Sequence, residues 1–469
     1  MFAKTALALI LIVFGLGAAP SDEPFAGAPR LDRRALLAAV ARRNPTLEAA
    51  RLAWQAAAAR PPLERALPDP MLSYGVAPGS IAGGGRRFGQ QIELSQDLPL
   101  PGRRRLRAEQ AAARARGAAA DYREALLDLL TTASRLYDDD WLVERSLAIV
   151  GQHRALLAEL QRVAAGRYAA GLVPQQDPIQ AELEGAKMLH RQVELEAERE
   201  AITTRLAALL HLPADHPLPP PSPAEAPAVE AGPEAAAPAR AAPAVGGTPA
   251  AAPPAGVMSA AALAERPEVA ARAAEVEAQR AAVALARLAG TPDLALRGSY
   301  DSMWDAPGYR WTAGIAVNLP VRRERLAGQR AEAEARLARA RAELAAAEDR
   351  IRAEGRTAVI AVDEAGHLQT IFESRLLPAA RDQVQAARSG FETGRGSFLG
   401  MIDAERSLRD VELGREQAVA DLHRKQAELD RALGRLPAGL PPELLDPAAA
   451  RAAAASPPAP AATREGGPR

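Results

Sequence analysis

The chain has 469 residues, 25% of them charged, with 58 basic and 58 acidic side chains and no cysteine. A net charge of zero excludes a partner held by bulk electrostatic attraction, so no nucleic acid is expected. The missing cysteines exclude disulfides, thiol chemistry and a lipid on an N-terminal cysteine, and the 4% of aromatics suits thin helical layers packed through Ala and Leu better than thick globular cores.

The N-terminus reads as a secretory signal peptide over residues 1–19. Lys4 precedes an apolar run, and the small residues Gly17, Ala18 and Ala19 follow it. The run is short for a bilayer span, which takes ~20 apolar residues, and no other stretch approaches that length. The sequence therefore predicts export without a membrane-spanning helix.

Asn44 is placed to cap a helix with Pro45 at its first position, running to about Arg65 and ending before Pro68. Two strands follow, "MLSYGV" and "FGQQIELSQDL", around a loop at 77–87. A second helix starts after Gly102 and runs to about Gly166, with Leu126, Leu130, Ala133, Tyr137 and Trp141 at three- or four-residue spacing. At 1.5 Å per residue it is about 95 Å long, which demands a coiled coil or bundle. Asp177 is expected to cap the returning helix, with Pro178 at its first position and an end near Leu210. Residues 213–256 are rich in Pro and Ala and read as a linker. Beyond it, helices are expected near 261–289, 321–388 and 397–434, with strands "LALRGSY" and "WTAGIAVNL" around a loop at 301–310. Residues 436–469 read as a disordered tail.

The strands alternate with period two. Leu72, Tyr74 and Val76 share a face, as do Phe88, Ile92, Leu94 and Leu98. Leu294, Leu296 and Tyr300 form another such row, and so do Trp311, Ala313, Ile315, Val317 and Leu319. A half-buried soluble sheet gives the same alternation. Predicted export, strands close to the ~10 residues of a membrane strand and aromatics near their ends favour lipid instead. The expected lipid-facing set is Leu72, Tyr74, Ile92, Leu94, Leu296, Ile315 and Val317. Four strands cannot close a barrel and open edges are not tolerated in lipid, so several copies would have to pool their strands.

The chain also repeats itself. "RYAAGLVPQQDPIQAE" at 167–182 matches "GFETGRGSFLGMIDAE" at 390–405, and "NPTLEAAR" at 44–51 matches "RPEVAAR" at 266–272. "LPDPMLSYGV" at 67–76 matches "TPDLALRGSY" at 291–300, and "LSQDLPLPGRRR" at 94–105 matches "IAVNLPVRRER" at 315–325. All four pairs lie 221–224 residues apart and in one order, the signature of a tandem duplication.

The set "NPTLEAAR", "LPDP", "LSQDLPLPGRRRLR" and "RYAAGLVPQQDPIQAE", with the order of elements in both halves over roughly 31–212 and 258–435, resembles the TolC family of outer membrane efflux proteins. The resemblance implies a mainly α chain with a small β part that forms a homotrimer. Three sets of four strands would close one twelve-stranded outer membrane β-barrel, and the long helices would form a coiled-coil tunnel in the periplasm. It implies a passive conduit of a tripartite efflux system, without cofactor, metal site or catalytic residues of its own. Its partners would be outer membrane lipid, a periplasmic adaptor (membrane fusion) protein and an inner membrane pump of the resistance-nodulation-division type. The two quoted turns would be hairpin tips, with Gly171, Leu172 and Gly394 as adaptor contacts. Asp177 and Asp403, read as matching positions, would be candidates for a carboxylate gate. Some relatives lock the closed tip through a Tyr and an Arg on the second turn, where Phe391 and Gly396 stand here. The "LPLPG" junction and "NLPV" are most similar to members serving heavy-metal pumps.

Catalytic patterns are not found. The six histidines form no metal-binding spacing, and "DDDW" at 138–141 sends its carboxylates in successive directions along a helix. "GGGRR" lacks the Lys-Ser/Thr of a phosphate loop. The competing reading is a periplasmic adaptor or structural coiled-coil protein, against which the two hairpins with interposed strand pairs argue.

Overall fold

The computed structural model describes residues 27–78, 88–222 and 260–437, with Phe25 and Leu440. The expected signal peptide, the loop segment 79–87 with "GGGRR", residues 223–256 of the linker and nearly all of the tail lie outside the described residues.

Helices α1 (Arg33–Arg43), α2 (Pro45–Ala58) and α3 (Arg60–Arg65) lead to strands β1 (Met71–Val76) and β2 (Gln90–Leu98), then to the long α4 (Pro101–Ala169) and the returning α5 (Gln176–Leu209). The second half runs α6 (Ala260–Glu265), α7 (Pro267–Leu288), β3 (Asp293–Asp301), β4 (Trp311–Asn318), α8 (Arg323–Ile371), α9 (Leu377–Glu392) and α10 (Phe398–Leu433). The plan of helices, two strands, a long helical arm and a returning helix is thus the same twice, with α7 standing where the first half has α2 and α3, and α8 with α9 where it has α4. Asn44 caps α2 as its sequence predicts, accepting from the backbone of Thr46 at 3.0 Å. Helix α1 was not expected; Asp32 caps it, accepting from the amide of Ala35 at 2.9 Å.

The helices are coiled-coil strands. Buried residues recur every seven positions: Val143, Val150, Leu157 and Ala164 on α4, Met188, Leu195 and Ile202 on α5. The second repeat does the same with Val269, Val276 and Val283 on α7 and Ala333, Ala340 and Ala347 on α8. A seven-residue apolar period keeps the seam facing its partner only if the helices supercoil. Helices α2 and α7 lie along the strand-proximal part of the bundle, and α7 packs on both α4 and α8, which joins the repeats. At 69 residues, α4 is about 104 Å long.

Two expectations need correction. The helix expected over 321–388 is interrupted by a π-helical turn at Phe372–Leu376, where the amide of Leu377 bonds the carbonyl of Phe372. Pro378 explains it: proline has no N–H and its ring collides with the carbonyl four residues back, so the backbone widens locally. Gly414 of α10 receives the bulge; a Cβ there would lie 2.6 Å from the Phe372 ring. Secondly, α5 is not capped by Asp177. Its N-cap is Gln175, with no side-chain cap bond, and Asp177 and Pro178 lie within the first turn. A proline is accommodated there because first-turn amides lack intrahelical partners anyway.

Residues 213–222, the start of the expected linker, are seated against the chain's N-terminal segment. Leu31 and Pro221 form a parallel bridge, the amide of Ser222 donates to Leu31 O at 2.9 Å, and Tyr137 Oη donates to the same carbonyl at 3.2 Å.

Candidate functional site

The four strands form one antiparallel sheet in the order β1-β2-β3-β4. The sequence predicts two hairpins; the structure adds the β2–β3 ladder that joins the repeats. Register decides what this sheet presents. Tyr74, Ile92, Tyr300 and Trp311 form one row across all four strands, and Leu72, Leu94, Gly298 and Ala313 form the next on the same face. Leu296 pairs with Ile315, and Leu98, Leu294 and Val317 line up beyond them. All seven residues of the expected lipid-facing set therefore share one face. Two polar residues interrupt it. Gln96 donates to Pro68 O at 2.7 Å, and Gln90 accepts from Tyr74 Oη at 3.4 Å.

The opposite face is polar. Ser299 and Thr312 hydroxyls meet at 2.6 Å, and Arg297 stands 4.0 Å from Glu93 across the β2–β3 ladder. The apolar face is uncovered: Leu72 is 70% and Ile315 69% exposed. At roughly 1.5–3 kcal/mol per large apolar side chain, leaving these residues in water would forgo on the order of 10 kcal/mol. Among the described residues, β1 and β4 each have one unpaired edge.

At the other end of the molecule are the hairpin tips. Gly171 and Gly394 adopt φ of +71° and +72°, where a side chain would be strained. The bonding around them repeats residue for residue. Gly171 N donates to Tyr168 O and Leu172 N to Arg167 O, both at 2.9 Å; Gly394 N donates to Phe391 O at 3.2 Å and Arg395 N to Gly390 O at 2.9 Å. This 6→1 pairing closes a helix C-terminus on a left-handed residue. Leu172 is 70% exposed.

Asp177 and Asp403 do not occupy matching places. At the offset that aligns the two turns, Asp177 corresponds to Gly400 and Asp403 to Gln180. Asp177 lies in the first turn of α5, and partial burial raises its carboxyl above the ordinary value against the opposing charge of Arg167. Asp403 lies a turn deeper on α10, and its carboxylate accepts from Arg406 at 2.7 Å.

The hairpins are linked near their tips by residues of which the sequence singled out Phe391 alone. Arg406 of α10 donates to Glu184 of α5 at 2.5 Å, and Glu184 also accepts from Lys187 at 2.7 Å. These hydrogen bonds hold the Glu184 carboxyl below its ordinary value. The Arg167 guanidinium of α4 lies 4.7 Å above the Phe391 ring, which tilts against Phe398 at 5.6 Å. The available signal was Glu184 itself, an acid falling between Ala181 and Met188 in the buried row of α5.

The "DDDW" carboxylates do diverge. Asp138 pairs with Arg33 of α1, Asp139 with Arg424 of α10 at 2.5 Å, and Asp140 is buried beside Arg199 and Glu144. Desolvation pushes Asp140 up to about 6.

An antiparallel four-stranded sheet with one apolar face, set on paired coiled-coil hairpins, invites comparison with known proteins. The family model described as "Outer membrane efflux protein" matches residues 258–435. That match covers the second repeat. No curated protein matches the chain. Among solved structures, CusC has a TM-score of 0.72 at 18% identity over 86% of this chain and 92% of its own. The CmeC outer membrane channel of Campylobacter jejuni scores 0.68 at 16% identity over 86% and 85%. The open MtrE outer membrane channel of Neisseria gonorrhoeae scores 0.67 at 21% identity over 87% and 89%. At these identities the likeness is one of fold, and it extends over both repeats. Taken with the family match over the second repeat, it gives the chain the fold of these outer membrane channels.

Proposed function

We propose that the chain is the passive outer membrane conduit of a tripartite efflux system and works as a homotrimer. The observation that carries this reading is the sheet: one largely apolar, exposed face, one polar face and two unpaired edges among the described residues. Lipid offers no water to satisfy an open edge, so β4 of one copy would pair with β1 of the next until the ring closes. Three copies give twelve strands, with the apolar face outward and the row of Glu93, Ser95, Ser299 and Thr312 toward an aqueous lumen.

The tips would then project into the periplasm as six similar turns. Gly171, Leu172 and Gly394 are the proposed contacts for a periplasmic adaptor, which would couple the channel to an inner membrane pump of the resistance-nodulation-division type. Asp177 is the better of the two gate candidates, because Asp403 is already paired with Arg406. Arg406–Glu184 and Arg167–Phe391 would hold the two hairpins of one copy together at the tip in the role for which the sequence offered no Tyr–Arg pair.

For the substrate we favour heavy-metal cations over drugs, on the resemblance of the "LPLPG" and "NLPV" junctions. Extraction of the outer membrane in detergent tests the conduit: a heat-modifiable trimer supports it, and a soluble periplasmic species refutes it. Deleting the chain and comparing growth on copper, silver, zinc and detergents tests the substrate. Sensitivity to detergents alone would refute the metal assignment.

A further inference from the structure

We propose that the four strand-to-helix junctions form a basic collar that binds the headgroups of anionic phospholipids in the leaflet nearest the helices. This rests on the sheet being lipid-exposed, as above, but not on transport.

All four junctions lie at one end of the sheet: 66–70 before β1, 99–100 after β2, 289–292 before β3 and 319–322 after β4. Charge is concentrated there although the chain is neutral overall. Residues 101–109 carry Arg103, Arg104, Arg105 and Arg107 against Glu109, and residues 321–325 carry Arg322, Arg323 and Arg325 against Glu324. Arg103 is a structural anchor. It pairs with Asp293 and donates to the carbonyls of Leu288 and Thr291 at 2.7 and 2.6 Å, tying α4 to the second repeat. Arg104 donates to Arg65 O at 3.3 Å, and Arg105 stands 3.6 Å from Glu109.

Arg107, Arg322, Arg323 and Arg325 are different. Each is exposed, and none has a side-chain hydrogen bond or ion pair among the described residues. Further along α8 Arg336 pairs with Glu332, Arg339 with Glu343 and Arg352 with Glu348, while Arg341 and Arg356 are exposed without such partners among the described residues. What sets the sheet end apart is density: Arg322, Arg323 and Arg325 stand unpaired within residues 322–325.

The apolar neighbours identify the occupant. Leu319 and Val321 lie just past the end of β4 and are 65% and 78% exposed, and Leu63 of α3, before β1, is 72% exposed. A surface that is apolar on one side and guanidinium-rich on the other matches the boundary between acyl chains and phosphates. The arginine stems can lie on the apolar rim while their heads take phosphate oxygens in pairs. The collar is continuous with the sheet's apolar face, so the same bilayer reaches both.

The test uses the full chain purified in detergent and exposed to an equimolar mixture of phosphatidylglycerol and phosphatidylcholine, with retained lipids counted by native mass spectrometry. The wild type should retain phosphatidylglycerol several-fold in excess. R107Q/R322Q/R323Q/R325Q should bring the ratio close to one, and about 0.5 M salt should do the same by screening. The exposed-arginine control R356Q/R381Q should keep the preference. Equal retention by the wild type, or an unchanged preference in the quadruple variant, would overturn the collar. Loss of the oligomer by the quadruple variant in lipid-free detergent would also overturn it, assigning these arginines to contacts between copies. Quenching of Trp311 by brominated phosphatidylcholine in vesicles separates the two readings. Quenching without a phosphatidylglycerol preference defeats the collar alone, whereas no quenching defeats the lipid-facing sheet beneath it.

Discussion

Asn44 donates from Nδ2 to the carbonyl of Leu209 at 3.0 Å, fastening the start of α2 to the last turn of α5. The second repeat does the same with different chemistry: Arg266, at the equivalent place before α7, donates to the carbonyl of Arg431 in the last turn of α10. Position 44 therefore does two things, accepting from its own helix and donating to another. N44D keeps the cap and loses the donor, while N44A loses both. Thermal unfolding should rank wild type above N44D above N44A, with about 1–2 kcal/mol lost in N44A. Equal stability of N44A and wild type would remove Asn44 from this role.

Asp140 makes stability depend on pH. It is 1% exposed, and desolvation raises its pKa from 3.8 to about 6. An acid whose folded pKa exceeds its unfolded one costs stability when ionised. That cost is absent below 3.8, grows between 3.8 and 6, and is complete above 6. D140N should accordingly stabilise the protein by about 3 kcal/mol at pH 8 and have little effect near pH 4. Unfolding of both proteins across this range is the check; a D140N effect independent of pH would contradict it.

The π turn and Gly414 act together. G414A would push a methyl group into the Phe372 ring, since the Cβ position lies 2.6 Å from it. The expected cost is about 1–3 kcal/mol from overpacking. F372A should be destabilising alone, yet G414A should cost much less in the F372A background. Additive effects in the double-mutant cycle would show that the two residues do not meet.

If Arg406–Glu184 restrains the tip, breaking it should open the channel. R406A should raise single-channel conductance or open probability in planar bilayers, and R406K should be intermediate. The Glu184 carboxyl is lowered by its hydrogen bonds to Arg406 and Lys187. Its contribution is therefore complete above its ordinary value of 4.5 and is lost as pH falls through the lower folded value. Acidification below 4.5 should open the wild type more than R406A. Identical conductance in wild type and R406A at all pH values would exclude the restraint.

Periodicity made the strands and long helices legible, because seven-residue and two-residue spacing survive without knowledge of the partner. Leu72, Tyr74, Ile92 and Val317 were assignable to one face for that reason, and the glycines of both turns because only a left-handed residue closes them. Pairings between distant elements were not legible. Nothing local says that Arg103 reaches Asp293, that Arg406 reaches Glu184 or that β2 pairs with β3. The gate pair was misaligned because two acids near similar turns were matched by residue type, while Asp177 lies in a helix's first turn and Asp403 a turn deeper. Pro378 was visible in the sequence and signalled the π turn that the uninterrupted helix reading passed over.

The central claim is that one face of the sheet meets acyl chains while its sequence neighbours meet water. The natural absence of cysteine allows single cysteines to be placed at Ile92, Leu94, Ile315 and Val317, and at Glu93, Ser95, Thr312 and Gly314, in the membrane-reconstituted protein. The first set should resist a membrane-impermeant maleimide and, once spin-labelled, report contact with lipid-soluble oxygen; the second should react and report contact with aqueous relaxants. Aqueous contact at Ile92, Leu94, Ile315 and Val317 would contradict the account.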